Sequence, residues 1–126
     1  MRHKTRHPTE LELEILQHLW QGDPLSGRAI RDALTPQREV TYQSVMTILG
    51  IMEEKGYVKR KKEAGSYVYR ARVTERATSK RMLQDLVQRL FKGSAAAAML
   101  NLLETSDLSD EELDQLRESV DRRTSE

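Results

Sequence analysis

Groups able to do covalent or acid–base chemistry are few in this chain. It has three histidines and no cysteine. Without thiols, disulfides, zinc knuckles, iron–sulfur clusters and sulfur nucleophiles are all excluded. His3 and His7 stand four residues apart, a spacing that suits a metal pair, but no carboxylate cluster accompanies them and their surroundings are polar and aperiodic. His18 falls among helically spaced leucines and reads as a surface or boundary residue. No glycine-rich phosphate loop, nucleophile elbow or HExxH motif occurs. Asp107, Asp110, Glu111, Glu112 and Asp114 do cluster, but around a helix start, where the dipole favours negative charge. Capping explains them better than catalysis. The chain reads as a non-enzyme with no cofactor and no metal.

The chemistry that remains is recognition. In Thr41-Tyr42-Gln43-Ser44-Val45-Met46-Thr47, helical spacing sends Val45 inward together with Ile48, Leu49 and Met52. The other face carries Thr41, Tyr42, Gln43, Ser44, Met46 and Thr47, mostly short or hydrogen-bonding groups. A helix lying in a DNA major groove needs such a face on its N-terminal half, with amides for base edges and methyls for thymine. Gln43 suits adenine, and Thr47 or Met46 suits a thymine methyl. The basic run Lys59-Arg60-Lys61-Lys62 lies in a β-type segment, so alternate side chains project from opposite faces. Lys61 and Lys62 are the phosphate candidates there. Arg28 and Arg31, with Arg2, Lys4 and Arg6 in the first residues, could add backbone contacts.

These groups must be positioned by definite elements. Residues 1–8 read as a flexible basic arm. Thr9 and Glu12 have the capping-box spacing, opening a helix with Leu13, Leu16, Leu19 and Trp20 on its apolar side and Gly22 and Pro24 at its end. Ser26 can cap a second helix whose inner face is Ala29, Ile30, Ala33 and Leu34, stopping before Pro36. Thr41 opens the third, which Gly56 ends. Val- and Tyr-rich runs on either side of Gly65 predict a hairpin. Three helices followed by a two-stranded hairpin is the order of a winged helix-turn-helix. From Thr74 helical spacing returns, with Met82, Leu83, Leu86, Val87, Leu90 and Phe91 in one stripe over about 17 residues. Gly93 breaks it. Ser94 caps a helix containing Leu100, Leu102 and Leu103, and Ser109 with Glu112 forms a second capping box before Leu113, Leu116 and Val120.

The expected fold class is α+β, mostly α: a winged helix-turn-helix over 1–73 followed by a three-helix region over 74–126. The 126 residues carry a net charge of only +1. Residues 1–80 hold 15 Lys/Arg against 10 Asp/Glu, and residues 81–126 hold 6 against 10. The imbalance assigns a polyanion to the first part only. The second part has too few apolar residues to fill a core alone, so a second copy is the economical partner. Leu83, Leu86, Leu90, Phe91, Leu100 and Leu103 are the expected dimer contacts. No apolar run reaches the ~18 residues of a membrane span, and no signal-peptide core follows the first basic residues, which leaves a cytoplasmic protein without a membrane partner.

Several of these stretches, in register, resemble the penicillinase repressors of the BlaI/MecI type. They are Glu12-Leu13-Glu14-Ile15-Leu16 with Leu19-Trp20, Thr41 to Leu49, Glu54-Lys55-Gly56, Val68-Tyr69-Arg70, Phe91-Lys92-Gly93-Ser94-Ala95-Ala96 and Leu108-Ser109-Asp110-Glu111-Glu112-Leu113. The resemblance spans about residues 8–122. It implies a homodimeric repressor that places Gln43, Ser44 and Thr47 against double-stranded DNA at an inverted-repeat operator. It also implies derepression by loss of the C-terminal dimer region, since members of that family are cut at an Asn followed by a large apolar residue. Asn101-Leu102 stands at that place, which makes a regulatory protease a candidate partner. Two positions depart from the family pattern: Ile51 stands where an arginine is usual, and the turn at Gly65 lacks one. The copper-responsive relatives use cysteines that are absent here. Two rival readings are a winged-helix protein–protein adaptor without sequence-specific DNA binding and a nonspecific nucleoid protein.

Overall fold

The computed structural model describes residues 7–22 and 24–125. Most of the expected arm, including Arg2, His3, Lys4 and Arg6, lies outside the described residues. The chain forms α1 (Glu10–Leu19), β1 (Leu25–Ser26), α2 (Gly27–Leu34), α3 (Tyr42–Lys55), β2 (Val58–Glu63), β3 (Ser66–Ala71), α4 (Glu75–Phe91), α5 (Ala95–Thr105) and α6 (Asp110–Thr124). It divides into two compact units, Met1–Leu83 and Gln84–Glu126, the division falling inside α4.

Local chemistry explains the helix starts. Thr9 Oγ1 accepts from the Glu12 amide at 3.2 Å while Glu12 Oε1 accepts from the Thr9 amide at 2.8 Å, closing the capping box of α1. Ser26, Thr41 and Ser94 each accept from the amide three residues on, which starts α2, α3 and α5. Ser109 and Glu112 close a second box at α6. The Ser109 backbone N–H and hydroxyl hold the Glu112 carboxyl below its ordinary value. Gly56 ends α3 in the left-handed conformation at φ 84°.

A small antiparallel sheet of order β1-β3-β2 completes the first unit. Tyr69 of β3 pairs with Arg60 of β2 and with Leu25 of β1. The hairpin turn is Ala64-Gly65, with φ of 50° and 83°. Two consecutive positive φ values suit a tight type I′ connection. The strand β1 has no counterpart in the sequence reading.

The core of this unit comprises Ile15, Leu16, Leu19, Ile30, Leu34, Val45, Leu49, Met52, Val58 and Tyr69. The inner face of α1 runs through residues 12, 15, 16 and 19, so Ile15 is fully buried and Leu13 only half-buried. Leu16 and Leu19 face inward as expected, while Glu12 and Ile15 join them and Leu13 and Trp20 are only half-buried. The Glu12 carboxylate is buried too. Lys55 Nζ donates to its two oxygens at 3.1 and 3.0 Å, pinning the end of α3 to the start of α1. Two further ties hold the frame. Trp20 Nε1 donates to the Val73 carbonyl at 2.8 Å, and Arg38 donates to the Glu14 carboxylate. That carboxylate raises the Arg38 pKa.

In the second unit the only buried hydrophobic residue among those described is Ala98. The helical stretch from Gln84 onward otherwise leaves its large apolar side chains open or half-covered within one chain.

Candidate nucleic-acid interface

The outer side of the first turn and a half of α3 stands clear of the core. Thr41, Gln43, Ser44 and Thr47 are exposed, and Tyr42 is 37% exposed. Met46 differs from them. It is half-buried and packed against the core, because α2 passes close to it.

Hydrogen bonding separates the roles of the exposed groups. Thr41 Oγ1 accepts from the Ser44 amide at 3.0 Å and donates to Ser44 Oγ at 2.9 Å, so both hydroxyls serve the helix start. Thr47 Oγ1 donates to the Gln43 carbonyl at 3.1 Å, which commits its proton and leaves its methyl and lone pairs. Among the described residues the Gln43 side-chain amide has no hydrogen-bond partner. It therefore keeps both a donor and an acceptor for an outside partner, the pattern that reads adenine N6 and N7.

Two cations from α2 border this face. The Arg28 guanidinium lies 4.9 Å from the centroid of the Tyr42 ring, a cation–π distance. Arg31 is drawn to its neighbour Asp32 at 3.1 Å, which offsets part of its charge. Spacing alone could not show the Arg28–Tyr42 stack, since the partners belong to different helices.

The wing sorts its cations by strand face. Val58, Arg60 and Lys62 share a face with Tyr67, Tyr69 and Ala71, and that face continues into the core. Lys59 and Lys61 share the opposite face with Arg70 and Val68. Lys61 and Lys62 are both exposed but project to opposite sides. Arg60 is engaged twice, 4.3 Å from the Tyr67 centroid and 3.5 Å from Glu53 Oε2 on α3. Lys62 lies 5.9 Å from the same ring. Beneath them Tyr69 is 3% exposed, and burial pushes its hydroxyl pKa up, with Arg60 opposing.

The expected dimer contacts are placed on α4 and α5. Leu83, Leu86, Leu90, Leu100 and Leu103 are between 41% and 66% exposed, and Phe91 is half-buried. Asn101 and Leu102 lie inside α5 and are exposed. Among the described residues no group of three His, Cys, Asp or Glu could hold a metal, and no helix is long and apolar enough to cross a membrane.

A polar helix presented beside a basic hairpin on a three-helix core defines a winged helix-turn-helix regulator. A profile of the penicillinase repressor family matches residues 8–122. The methicillin resistance regulatory protein MecI of Mammaliicoccus sciuri is 24% identical over 123 residues, covering 98% of this chain and 100% of that one. The penicillinase repressors of Staphylococcus aureus and Bacillus licheniformis are 21% and 23% identical, covering 85% and 86% of this chain and 85% and 84% of theirs. Among solved structures, an ArsR-like transcriptional regulator from Rhodococcus sp. RHA1 is similar at a TM-score of 0.47 and 22% identity, over 79% of this chain and 84% of that one. The chain belongs to the penicillinase repressor family of DNA-binding transcriptional repressors and is not an enzyme.

Proposed function

We propose that the chain represses transcription as a homodimer on an inverted-repeat operator, with α3 of each subunit in a major groove. The observation that carries this reading is the uncommitted Gln43 amide on the exposed half of α3, bordered by the Arg28–Tyr42 stack. Gln43 and the Thr47 methyl would read bases, while Arg28, Lys61 and Lys62 would contact phosphates. The exposed leucines of α4 and α5 support a second copy as partner, because apolar side chains this numerous are rarely left in water.

In this reading the dimer sets operator geometry, and its loss ends repression. Cleavage between Asn101 and Leu102 by a regulatory protease would remove Leu102 and Leu103, together with the apolar side of α6. The bond lies inside α5, so that segment must open locally before it can enter a protease. Separated halves would then lose the gain from linkage, on the order of 100-fold or more.

The test is selection of bound duplexes from a random pool by the full-length protein, with sedimentation of wild type and Leu90→Asp alongside. A two-fold symmetric motif with half-sites about 34 Å apart, bound by a dimer that Leu90→Asp dissociates, is the expected result. Binding without enrichment would point to a nonspecific nucleoid protein, and no DNA binding to a protein–protein adaptor.

A further inference from the structure

Gly27 opens α2 and is buried. Gly22, Gly56, Gly65 and Gly93 occupy the left-handed region, but Gly27 does not. Backbone conformation therefore does not require glycine at this position. Space does. A methyl group on Gly27 would lie 2.6 Å from Met46 Sδ, 3.3 Å from Tyr42 Cε1 and 3.9 Å from Met46 Cε. Ordinary contact between such atoms begins near ~3.5 Å, so something would have to shift. Both neighbours belong to the half of α3 that carries the polar face. Gly50, on the same helix, is the opposite case, since a methyl there meets nothing within 4 Å.

We propose that Gly27 is a positioning residue for DNA sequence discrimination: its missing side chain seats Met46 and Tyr42, and through them the register of the reading face. This rests on the reading of α3 as the DNA-reading helix. The crowded atom is near the end of a flexible thioether side chain, so a methyl on Gly27 displaces Met46 rather than unfolding the core. Gln43 lies three residues before Met46 and is its neighbour on the helix surface. A displaced Met46 side chain enters the space in which the Gln43 amide meets a base. Tyr42, at 3.3 Å from the added methyl, need give only a few tenths of an ångström, so Arg28 keeps its place on that ring.

The experiment compares full-length wild type, Gly27→Ala, Met46→Ala and the double variant. Each is measured on a duplex selected by the wild type, on random duplex, and by thermal melting. Gly27→Ala should lower affinity for the selected duplex about tenfold, leaving random-duplex affinity within about twofold and melting nearly unchanged. In the Met46→Ala background the same glycine change should cost less than about twofold, because the obstructing atoms are gone. Equal losses in both backgrounds, or on both duplexes, would overturn the proposal. Should Gly27→Ala alone fail to fold, the double variant decides: discrimination equal to that of Met46→Ala supports the proposal, and poorer discrimination overturns it. A wild type that selects no sequence removes the reading role of α3 itself. A wild type that selects one, with Gly27→Ala keeping it intact, removes only the role of Gly27.

Discussion

Replacing Lys55 by methionine removes the ammonium from a carboxylate that has almost no water. The Glu12 side chain is 4% exposed and that of Lys55 13% exposed, with 3.0 Å between Nζ and Oε2. After Lys55→Met, Glu12 keeps the Thr9 amide at 2.8 Å but loses its counter-charge. Breaking a buried pair costs about 3–5 kcal/mol, and the retained amide places this case near 3 kcal/mol. Glu12→Gln should cost only about 1–2 kcal/mol, since the capping acceptor survives and the ammonium can still reach solvent. The double variant, with neither charge left to strand, should be more stable than Lys55→Met alone. Urea unfolding at fixed protein concentration, followed by fluorescence, is the assay. Trp20, the only tryptophan, is bonded to Val73 within the winged unit and reports on it. With a slope of about 1–2 kcal/mol/M, 3 kcal/mol lowers the midpoint by roughly 1.5–3 M. Additive losses in the double variant, or a loss from Lys55→Met as small as that of an exposed pair, would mean that Glu12 and Lys55 do not act as a buried pair.

Three further outcomes follow from single positions. Gly50→Ala adds a methyl to the interior of α3 in open space, and should stabilise the chain by about 0.5–1 kcal/mol in thermal or urea unfolding; an unchanged or lowered midpoint counts against it. Ala64 holds φ 50° in the hairpin turn, so Ala64→Asn should gain about 0.5–1 kcal/mol by relieving left-handed strain, and a loss would mean that the turn tolerates alanine without cost. The raised Tyr69 pKa stabilises the neutral form, so its contribution is complete below the ordinary tyrosine value of about 10 and is lost as pH rises through the folded value. Wild type should therefore lose stability more steeply than Tyr69→Phe on the alkaline side, and superimposable alkaline limbs would remove Tyr69 as the cause.

What could be read from the sequence was whatever a few neighbouring residues decide among themselves. Thr9 with Glu12 and Ser109 with Glu112 announce their helices because a capping box closes over three residues. Gly56 and Gly65 mark a helix end and a turn because their left-handed backbone suits few other residues. The exposure of residues 41–44 and 47 followed from helical period once Val45 and Leu49 were placed inward. Long-range pairings were invisible. Glu12 reads as a helix cap, and nothing near it shows that its carboxylate is buried and meets Lys55, 43 residues later. The two residues of β1 are too few to show a period, and the cap signal of Ser26 masks them. Met46 looked like its exposed neighbours because nothing in α3 reveals that α2 passes within contact distance at Gly27.

In the proposed reading α3 contacts bases through Gln43 while the wing supplies general attraction to phosphate. The most direct measurement is the affinity of wild type and Gln43→Ala for a selected operator duplex and for random duplex at one salt concentration. Loss of about 1–3 kcal/mol on the operator, with random-duplex affinity unchanged, is the predicted result. Equal loss on both duplexes, or none on the operator, would mean that Gln43 does not read bases.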